Sequence, residues 1–328
     1  MSDHDEQFRA MGCTLRLIVG PPVLRDAPEA HEASAMARER MHHLDERLSR
    51  FNPDSELSAL NADPRGTVPA SALLRGAIAA ALVAARRTGG LVDPTLLRPL
   101  RAAGYARSLE GRTPPGLRDA LAAAPPRRTA TPDPAGAWRS IRVDRQAGTV
   151  VRPPGVEIDL GGTAKGLAAD LVAHALAGQA RFVVDIGGDL RIGGPAAVED
   201  PFEVHVAGPF DGLSVHALRI GAGGVATSGI GTRLWRAADQ AFAHHVLDPA
   251  TGRPAWTGVA MATALAPSAL EAEALAKCAL LVGPARGRAV LADHGGLLVL
   301  DDGSITFAGG VRSRQVVRLR HPEGAAAA

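Results

Sequence analysis

The chain has 328 residues, 46% of them hydrophobic, which is enough to bury a large core in one domain or two closely joined ones. Its 36 Lys and Arg nearly balance 34 Asp and Glu, only 3% of residues are aromatic, and there is no long basic run, so we expect no nucleic-acid-binding surface. The two cysteines, Cys13 and Cys278, have no zinc-ligand or disulfide pattern.

The first half of the chain begins with a predicted strand, followed by two long helices. Residues 11–19, MGCTLRLIV, are typical of a strand. A helix is expected over about 28–48, where apolar residues recur every three or four positions. Ser71 is predicted to cap a second helix that runs to Thr88 and stops at Gly89-Gly90.

A connection rich in Pro, Gly, Ala and Arg follows over residues 111–137, and we expect it to be exposed, with one short helix over Leu117–Ala123. Strand and helix signals alternate on both sides of it without a uniform order, which is typical of a mixed α/β (α+β) fold. The chain is therefore predicted to be a single domain, 1–328, made of two closely joined lobes.

In the second half, residues 156–160 are predicted to form a strand and Lys165–Ala177 a helix. FVVDI, 182–186, is expected to be a buried strand that opens onto a turn at Gly187-Gly188-Asp189. ATSG, 226–229, is expected to be a turn after a further strand.

The last helix is expected to begin near Ser268 and to end at Gly283-Pro284. Ser268 and Glu271 have the spacing of a capping box, in which each side chain satisfies a free backbone N–H. LLVL (297–300) and ITF (305–307), on either side of DDGS, predict a closing hairpin.

The run IDLGGTAKG, 158–166, allows two interpretations. Glycines before a helix N-terminus can let backbone N–H groups approach a phosphate, with Lys165 beside it. The run matches neither a Walker loop nor a dinucleotide fingerprint, so a simple strand-to-helix turn is an equal alternative.

Two further segments contain candidate functional side chains. His244 and His245 stand just before the Asp-Pro-Ala-Thr-Gly turn, which places titratable imidazoles beside a rigid bend. Glu273 and Lys277 lie four residues apart on the last helix, a spacing typical of a surface ion pair, although Glu273 could instead face a cation or a phosphate.

In their order, these segments resemble the ApbE family of flavin transferases along nearly the whole chain. The matching segments are Met11-Gly12, Ser49-Arg50-Phe51, Asp54-Ser55-Glu56-Leu57 with Asn61, Val92-Asp93-Pro94-Thr95, IDLGGTAKGLAAD, DIGGD, ATSG, HHVLDPATG and APSALEAEALAKCALLVG. The resemblance implies an ApbE-like two-lobed fold with FAD bound in a cleft between the lobes.

The resemblance also implies an activity. Such enzymes take FAD as substrate, split its diphosphate with Mg²⁺ present, and attach FMN through a phosphoester bond to a threonine or serine of an acceptor protein, releasing AMP. His245 stands at the family's histidine, a candidate base for the acceptor hydroxyl. The positions that would line the FAD site are Met11, Phe51, Leu91, Val92, Asp93, Asp159, Lys165 and Leu247.

The implied metal site contains a departure from the family pattern. Gly162 would offer its carbonyl oxygen to Mg²⁺, and Glu273 stands where the family usually has an aspartate. Lys277 stands at the family's metal-binding threonine, but a charged lysine has no lone pair to donate. We expect the Lys277 ammonium either to pair with Glu273 or to replace part of the metal's positive charge.

This departure leaves two alternatives beside the transferase: a protein that binds or stores FAD without catalysis, and a pyrophosphatase that gives FMN and AMP.

The polar, acidic start MSDHDEQFRAMG predicts neither a secretory signal nor a lipid-anchored cysteine. No apolar run approaches the ~18 residues that span a membrane. The expectation is therefore a cytoplasmic protein without a membrane span.

Overall fold

A computed structural model describes residues 2–311 and 316–317, and these residues form strands and helices in mixed order. The strands are β1 (His4–Ala10), β2 (Cys13–Val19), β3 (Thr67–Pro69), β4 (Arg142–Asp144), β5 (Thr149–Val151), β6 (Phe182–Ile186), β7 (Asp189–Gly193), β8 (Phe202–Ala207), β9 (Ser214–Ile220), β10 (Gly223–Gly229), β11 (Leu234–Arg236), β12 (Phe242–His244), β13 (Leu247–Asp248), β14 (Arg253–Pro254), β15 (Val259–Ala266), β16 (Gly296–Leu300), β17 (Ile305–Ala308) and β18 (Val316–Val317).

The helices are α1 (Ala30–Leu48), α2 (Glu56–Ala62), α3 (Ala72–Arg87), α4 (Leu97–Ala102), α5 (Leu117–Ala122), α6 (Ala164–Ala175), α7 (Pro195–Glu199), α8 (Ala269–Leu281) and α9 (Gly283–Val290), with a 3₁₀ turn at Ala137–Ser140. Within residues 2–311 and 316–317, no helix is both long and apolar enough to cross a membrane.

The central sheet contains eight strands in the order β1-β2-β6-β7-β10-β15-β16-β17. Every neighbouring pair in it is antiparallel. The β2–β6 pair, with Leu15 opposite Ile186, joins the start of the chain to its middle. Smaller sheets are β3-β5-β4, β18-β9-β8, β11-β12 and β13-β14.

Both faces of the central sheet are covered, as the burial of strand β15 shows. All eight residues of this strand, VAMATALA, are buried. Ala262 and Ala264 pack in one hydrophobic cluster with residues of α8, whereas Met261 and Leu265 pack in another with residues of β8 and β9. Because alternate side chains of a strand point to opposite faces, the sheet lies between a helical layer and the smaller β8–β9 sheet.

Helices α6 and α8 touch at a glycine. A Cβ added to Gly166 would lie 2.6 Å from the Ala269 carbonyl oxygen, so the close approach of the two helices requires glycine there. The Asp170 carboxylate of α6 accepts hydrogen bonds from the N–H groups of Ala269 and Leu270, at 2.9 and 3.0 Å. Asp170 thus satisfies free donors at the N-terminus of α8 and fixes the two helices together.

Most of the predicted elements are confirmed. The helices expected over 28–48 and 71–88 are α1 and α3, and the Ser71 side chain caps α3 by accepting the Leu74 N–H at 3.2 Å. FVVDI is β6, and the closing hairpin is β16–β17, with Val299 opposite Ile305.

Three predicted elements are wrong in position. Met11 and Gly12, with φ of 52° and 69°, form the turn between β1 and β2, so the strand expected over 11–19 starts only at Cys13. Residues 156–160 are not a strand, because the Asn61 side chain, and not a neighbouring strand, binds the Ile158 backbone. ATSG, 226–229, is the end of strand β10 and not a turn after it.

The end of the last predicted helix also differs. Gly283-Pro284 does end α8, but it also begins a further helix, α9. Proline is tolerated in the first turn of a helix, because the N–H that it lacks would have no partner within the helix there.

At the other end of α8, only half of the predicted capping box forms. The Ser268 hydroxyl accepts the Glu271 N–H at 3.2 Å, while the Glu271 carboxylate lies 2.6 Å from the guanidinium of Arg87.

Candidate active site

The N-terminus of α6, where the run IDLGGTAKG becomes helical, is the centre of the candidate site. The N–H groups of Thr163 and Ala164 both donate to the Leu160 carbonyl, at 2.9 and 2.8 Å. The Gly166 N–H donates to Oε2 of Glu273 at 2.8 Å. Three backbone donors of the run are therefore already paired within the protein.

Glu273 is a buried acid that caps α6 from the neighbouring helix α8. Its side chain is 0% exposed, and its second oxygen, Oε1, accepts a hydrogen bond from Nζ of Lys277 at 2.8 Å. The pair is therefore not the surface ion pair that its spacing suggested. A carboxylate at a helix N-terminus is favourable because it faces the positive end of the helix dipole.

Gly162 lies beside the same lysine. A Cβ added to Gly162 would lie 4.0 Å from Cδ and Cε of Lys277 and 3.6 Å from a methyl group of Val92. The three positions that the resemblance implied for a metal, Gly162, Glu273 and Lys277, are thus brought together in space.

These residues do not fit a resident magnesium ion. Mg²⁺ prefers six oxygen ligands at about 2.0–2.1 Å, and Oε1 of Glu273 is already bound to an ammonium that cannot act as a ligand. Among the side chains of residues 2–311, no group of three or more His, Cys, Asp or Glu is arranged to hold a metal.

Lys165, the second residue of α6, forms a tight buried ion pair. Its Nζ lies 2.5 Å from Oδ2 of Asp189, whose side chain is 1% exposed and whose Oδ1 accepts the Thr227 N–H at 3.3 Å. Burial alone would lower the pKa of Lys165, but the charges of Asp189 and Glu273 outweigh it, so the pKa is raised. Lys165 is therefore a cation at neutral pH.

The loop before α6 is held by Asn61 and Arg50. Asn61 donates to the Ile158 carbonyl at 2.8 Å and accepts the Ile158 N–H at 2.7 Å. Nε of Arg50 lies 3.1 Å from Oδ1 of Asp159. Asp159 is thereby fixed at the site, as an ion-pair partner of Arg50.

An aromatic cluster surrounds the Arg50 guanidinium. Its carbon lies 4.0 Å from the ring centre of Phe51 and 4.6 Å from that of Tyr105, and Tyr105 stacks on Trp235 at 5.4 Å. Phe51 is 38% exposed, so one part of its ring remains available for contact. Nη2 of Arg50 is buried and has no hydrogen-bond partner among the described residues.

The segment around Asp93 contacts the loop that precedes α6. The Asp159 N–H donates to the Pro94 carbonyl at 2.8 Å, and Oδ1 of Asp93 accepts both the N–H and the hydroxyl of Thr95, at 2.7 and 2.5 Å. Burial raises the pKa of Asp93 above its ordinary value. The neighbouring Leu91 packs into a hydrophobic cluster.

The two histidines at the end of β12 have different surroundings. His244 is fully buried against Trp256, with ring centres 4.6 Å apart, and burial lowers its pKa to about 3. His245 is half-buried, and its pKa lies well below 6.5 because of burial and the positive charges of Arg233 and Lys277. A neutral His245 can accept a proton at pH 7.

Leu247, two residues further along the chain, has its side chain packed with Tyr105 and Trp235.

Met11 and Arg233 complete the site from opposite parts of the chain. Met11, in the β1–β2 turn, donates its N–H to Oδ2 of Asp45 at 2.7 Å. A Cβ on the adjacent Gly12 would lie 4.0 Å from Nη2 of Arg233. The charge of Arg233 also acts on Lys165 and His245, so this arginine lies among the candidate residues.

Sequence reasoning did not single out Arg233, Asp189 or Arg50 as functional residues. Asp189 and Arg50 stand inside motifs that were recognised, so a search for charge partners of Lys165 and Asp159 within those motifs could have found them. Arg233 lies outside every motif quoted, and nothing in the sequence near it gives a signal.

The structure therefore combines a mixed α/β fold with buried acid–lysine pairs at a helix N-terminus and a half-buried histidine. Comparison with known proteins identifies the family of this fold. The model of the ApbE family matches residues 11–300. The chain belongs to the ApbE family.

Curated relatives and solved structures support this assignment. The chain is 28% identical to the FAD:protein FMN transferase of Treponema pallidum over 320 residues, covering 88% of this chain and 83% of the relative. It is 28% identical to the protein of the same name from Klebsiella pneumoniae over 279 residues, covering 82% and 77%. The crystal structure of the ApbE protein from Thermotoga maritima superposes with a TM-score of 0.75 at 26% identity, covering 94% of this chain and 97% of that one.

Proposed function

We propose that this chain transfers FMN from FAD to a threonine or serine hydroxyl of an acceptor protein, releasing AMP. The curated relatives bear the name of this reaction. The observation that supports the proposal most is the grouping of a neutral His245 with the cations Lys165, Lys277 and Arg233 around the N-terminus of α6.

In the proposed reaction, the acceptor hydroxyl oxygen attacks the phosphorus of the FMN half of the diphosphate. A new P–O bond forms to the acceptor, the P–O bond to the bridging oxygen breaks, and AMP leaves with that oxygen. His245 takes the hydroxyl proton, because its imidazole is neutral at pH 7 and faces the same cluster of charges. No electrons are transferred in this reaction, so the oxidation state of the flavin ring does not change.

Negative charge develops on the phosphoryl oxygens during this transfer and must be balanced. Lys165 and Lys277 are held in place by Asp189 and Glu273, at 2.5 and 2.8 Å. Cations that are fixed before the substrate arrives need little rearrangement in the transition state. Magnesium, which the family resemblance implies, has no part in these steps, because the residues at its implied site do not fit the ion.

For the flavin ring, we propose a place beside Phe51. This ring is partly exposed, and it belongs to the cluster in which Arg50 lies between Phe51 and Tyr105. An aromatic face next to a guanidinium is suited to stacking an extended planar ring. Met11, Val92, Asp93 and Leu247 are proposed to complete the pocket.

The test is incubation of the full chain with FAD and a protein that bears a flavin-acceptor threonine, followed by in-gel flavin fluorescence and chromatography of nucleotides. Covalent fluorescence on the acceptor together with an equal amount of AMP is the expected result. Replacement of the acceptor threonine by valine should abolish the label. AMP without label would establish a pyrophosphatase instead, and FAD binding with neither product would establish a storage protein.

A further inference from the structure

We propose that the Lys277 ammonium takes the place of a divalent cation in this chain, so that the diphosphate of FAD binds without magnesium. The inference depends on FAD being the ligand, as proposed above, but not on the transfer reaction. It concerns a residue at which this chain differs from the pattern that the family resemblance implied.

The geometry of Glu273 is the first argument. Its carboxylate is fully buried, with Oε2 bound to the Gly166 N–H and Oε1 bound to Lys277, both at 2.8 Å. A second cation on Oε1 would lie next to the ammonium in a site with little water. Like charges repel strongly in such surroundings, so the lysine and a metal ion exclude each other.

The unused N–H donors of the Lys277 ammonium are the second argument. An ammonium has three N–H donors, and one of them is directed to Glu273. The stem of the side chain passes beside Gly162, where a Cβ would lie 4.0 Å from Cδ and Cε of the lysine. The remaining N–H groups can donate to phosphate oxygens.

The charge balance of the site is the third argument. Lys165, Lys277 and Arg50 are each paired with one carboxylate, of Asp189, Glu273 and Asp159. Arg233, by contrast, makes no ion pair within 4.0 Å among the described residues, and its charge acts on both Lys165 and His245. Arg233 therefore adds a positive charge to the cluster that no described carboxylate in contact with it balances.

The test measures FAD affinity, by quenching of flavin fluorescence, after the full chain has been dialysed against EDTA. The dissociation constant is expected to be the same in EDTA and in millimolar MgCl₂, and calorimetric injection of MgCl₂ into the FAD complex should give no more heat than injection into free FAD. A tenfold or larger loss of affinity in EDTA that MgCl₂ restores would overturn the proposal.

The variant Lys277→Thr replaces the ammonium by a neutral oxygen ligand. Its FAD affinity in EDTA is expected to fall about 10- to 100-fold, as for the loss of a charged hydrogen bond, and to recover in MgCl₂ because Glu273 is then free to bind the ion. Unchanged affinity of this variant in EDTA would contradict the proposal. The matched control is Arg87→Met, which removes an exposed cation paired with the half-buried α8 residue Glu271 and should leave FAD binding unaltered.

Removal of Lys277 leaves Glu273 as an unpaired buried acid, which can prevent folding. The double variant Glu273→Gln/Lys277→Met avoids this problem, because the glutamine oxygen can still accept the Gly166 N–H. Its FAD affinity should fall as far as that of Lys277→Thr, but without recovery in MgCl₂, and full affinity would refute the role of Lys277. If FAD binding is magnesium-independent while no acceptor is labelled, this inference stands and the transferase proposal fails.

Discussion

Nζ of Lys165 lies 2.5 Å from Oδ2 of Asp189, a carboxylate whose side chain is 1% exposed. Removing one partner of a buried pair leaves an uncompensated charge, so Asp189→Asn should lower the free energy of unfolding by about 3 kcal/mol. Urea unfolding at pH 7 measures this change.

The control for this prediction is Asp5→Asn. Asp5 and Arg16 are nearly as close, at 2.6 Å, but both side chains are 46% exposed. Exposed pairs contribute about 1 kcal/mol or less, because solvent screens them. Equal losses in the two variants would mean that burial does not decide the strength of these pairs.

Gly166→Ala is predicted to destabilise the protein by about 1–3 kcal/mol, because the new methyl group would meet the Ala269 carbonyl at 2.6 Å and push α6 away from α8. The same substitution at Gly76 in α3 is the control. Nothing lies within 4 Å of a Cβ there, and alanine should stabilise that helix by about 0.5–1 kcal/mol. Thermal unfolding of the two variants should therefore shift in opposite directions.

His245→Ala is predicted to keep FAD affinity near that of the parent chain and to lose acceptor labelling about 10²- to 10⁴-fold, as expected for a missing general base. Labelling rates and fluorescence quenching measure the two effects separately. His244→Phe retains an aromatic ring against Trp256 and should label at the normal rate. Normal labelling by His245→Ala would remove this residue from the mechanism.

The stability of the protein should fall as the pH is lowered, and His244 is one cause. Its pKa is about 3 in the folded chain, against 6.5 as its ordinary value, so between these values the unfolded chain binds a proton that the folded chain does not. Stability therefore decreases with falling pH across this window, by about 1.4 kcal/mol per pH unit for one proton. Urea unfolding between pH 7 and pH 5 should show a shallower decrease in His244→Phe, and parallel curves would contradict this account.

Elements with a strong local signal were predictable from the sequence. The Ser71 cap, the periodic apolar residues of α1 and the short apolar strand β6 depend on neighbours within a few residues, so the structure reproduces them closely. The strand β1, HDEQFRA, was missed because five of its seven residues are polar, and only pairing with β2 makes it a strand.

The family assignment came from ordered motifs, but the chemistry of Glu273 could not be read from them. A Glu–Lys spacing of four is the same on a surface helix and a buried one, and only the packing of α6 against α8 decides between the two. For the same reason the segment 156–160 was misassigned, because its partner is the distant side chain of Asn61 and not a strand.

The dependence of α6 on Glu273 has a consequence for synthesis. A nascent chain that has emerged only as far as β10 contains the glycine-rich run, Lys165 and Asp189, but not the carboxylate that receives the Gly166 N–H. The N-terminus of α6 can therefore reach its final hydrogen-bonded arrangement only after α8 has left the ribosome and docked.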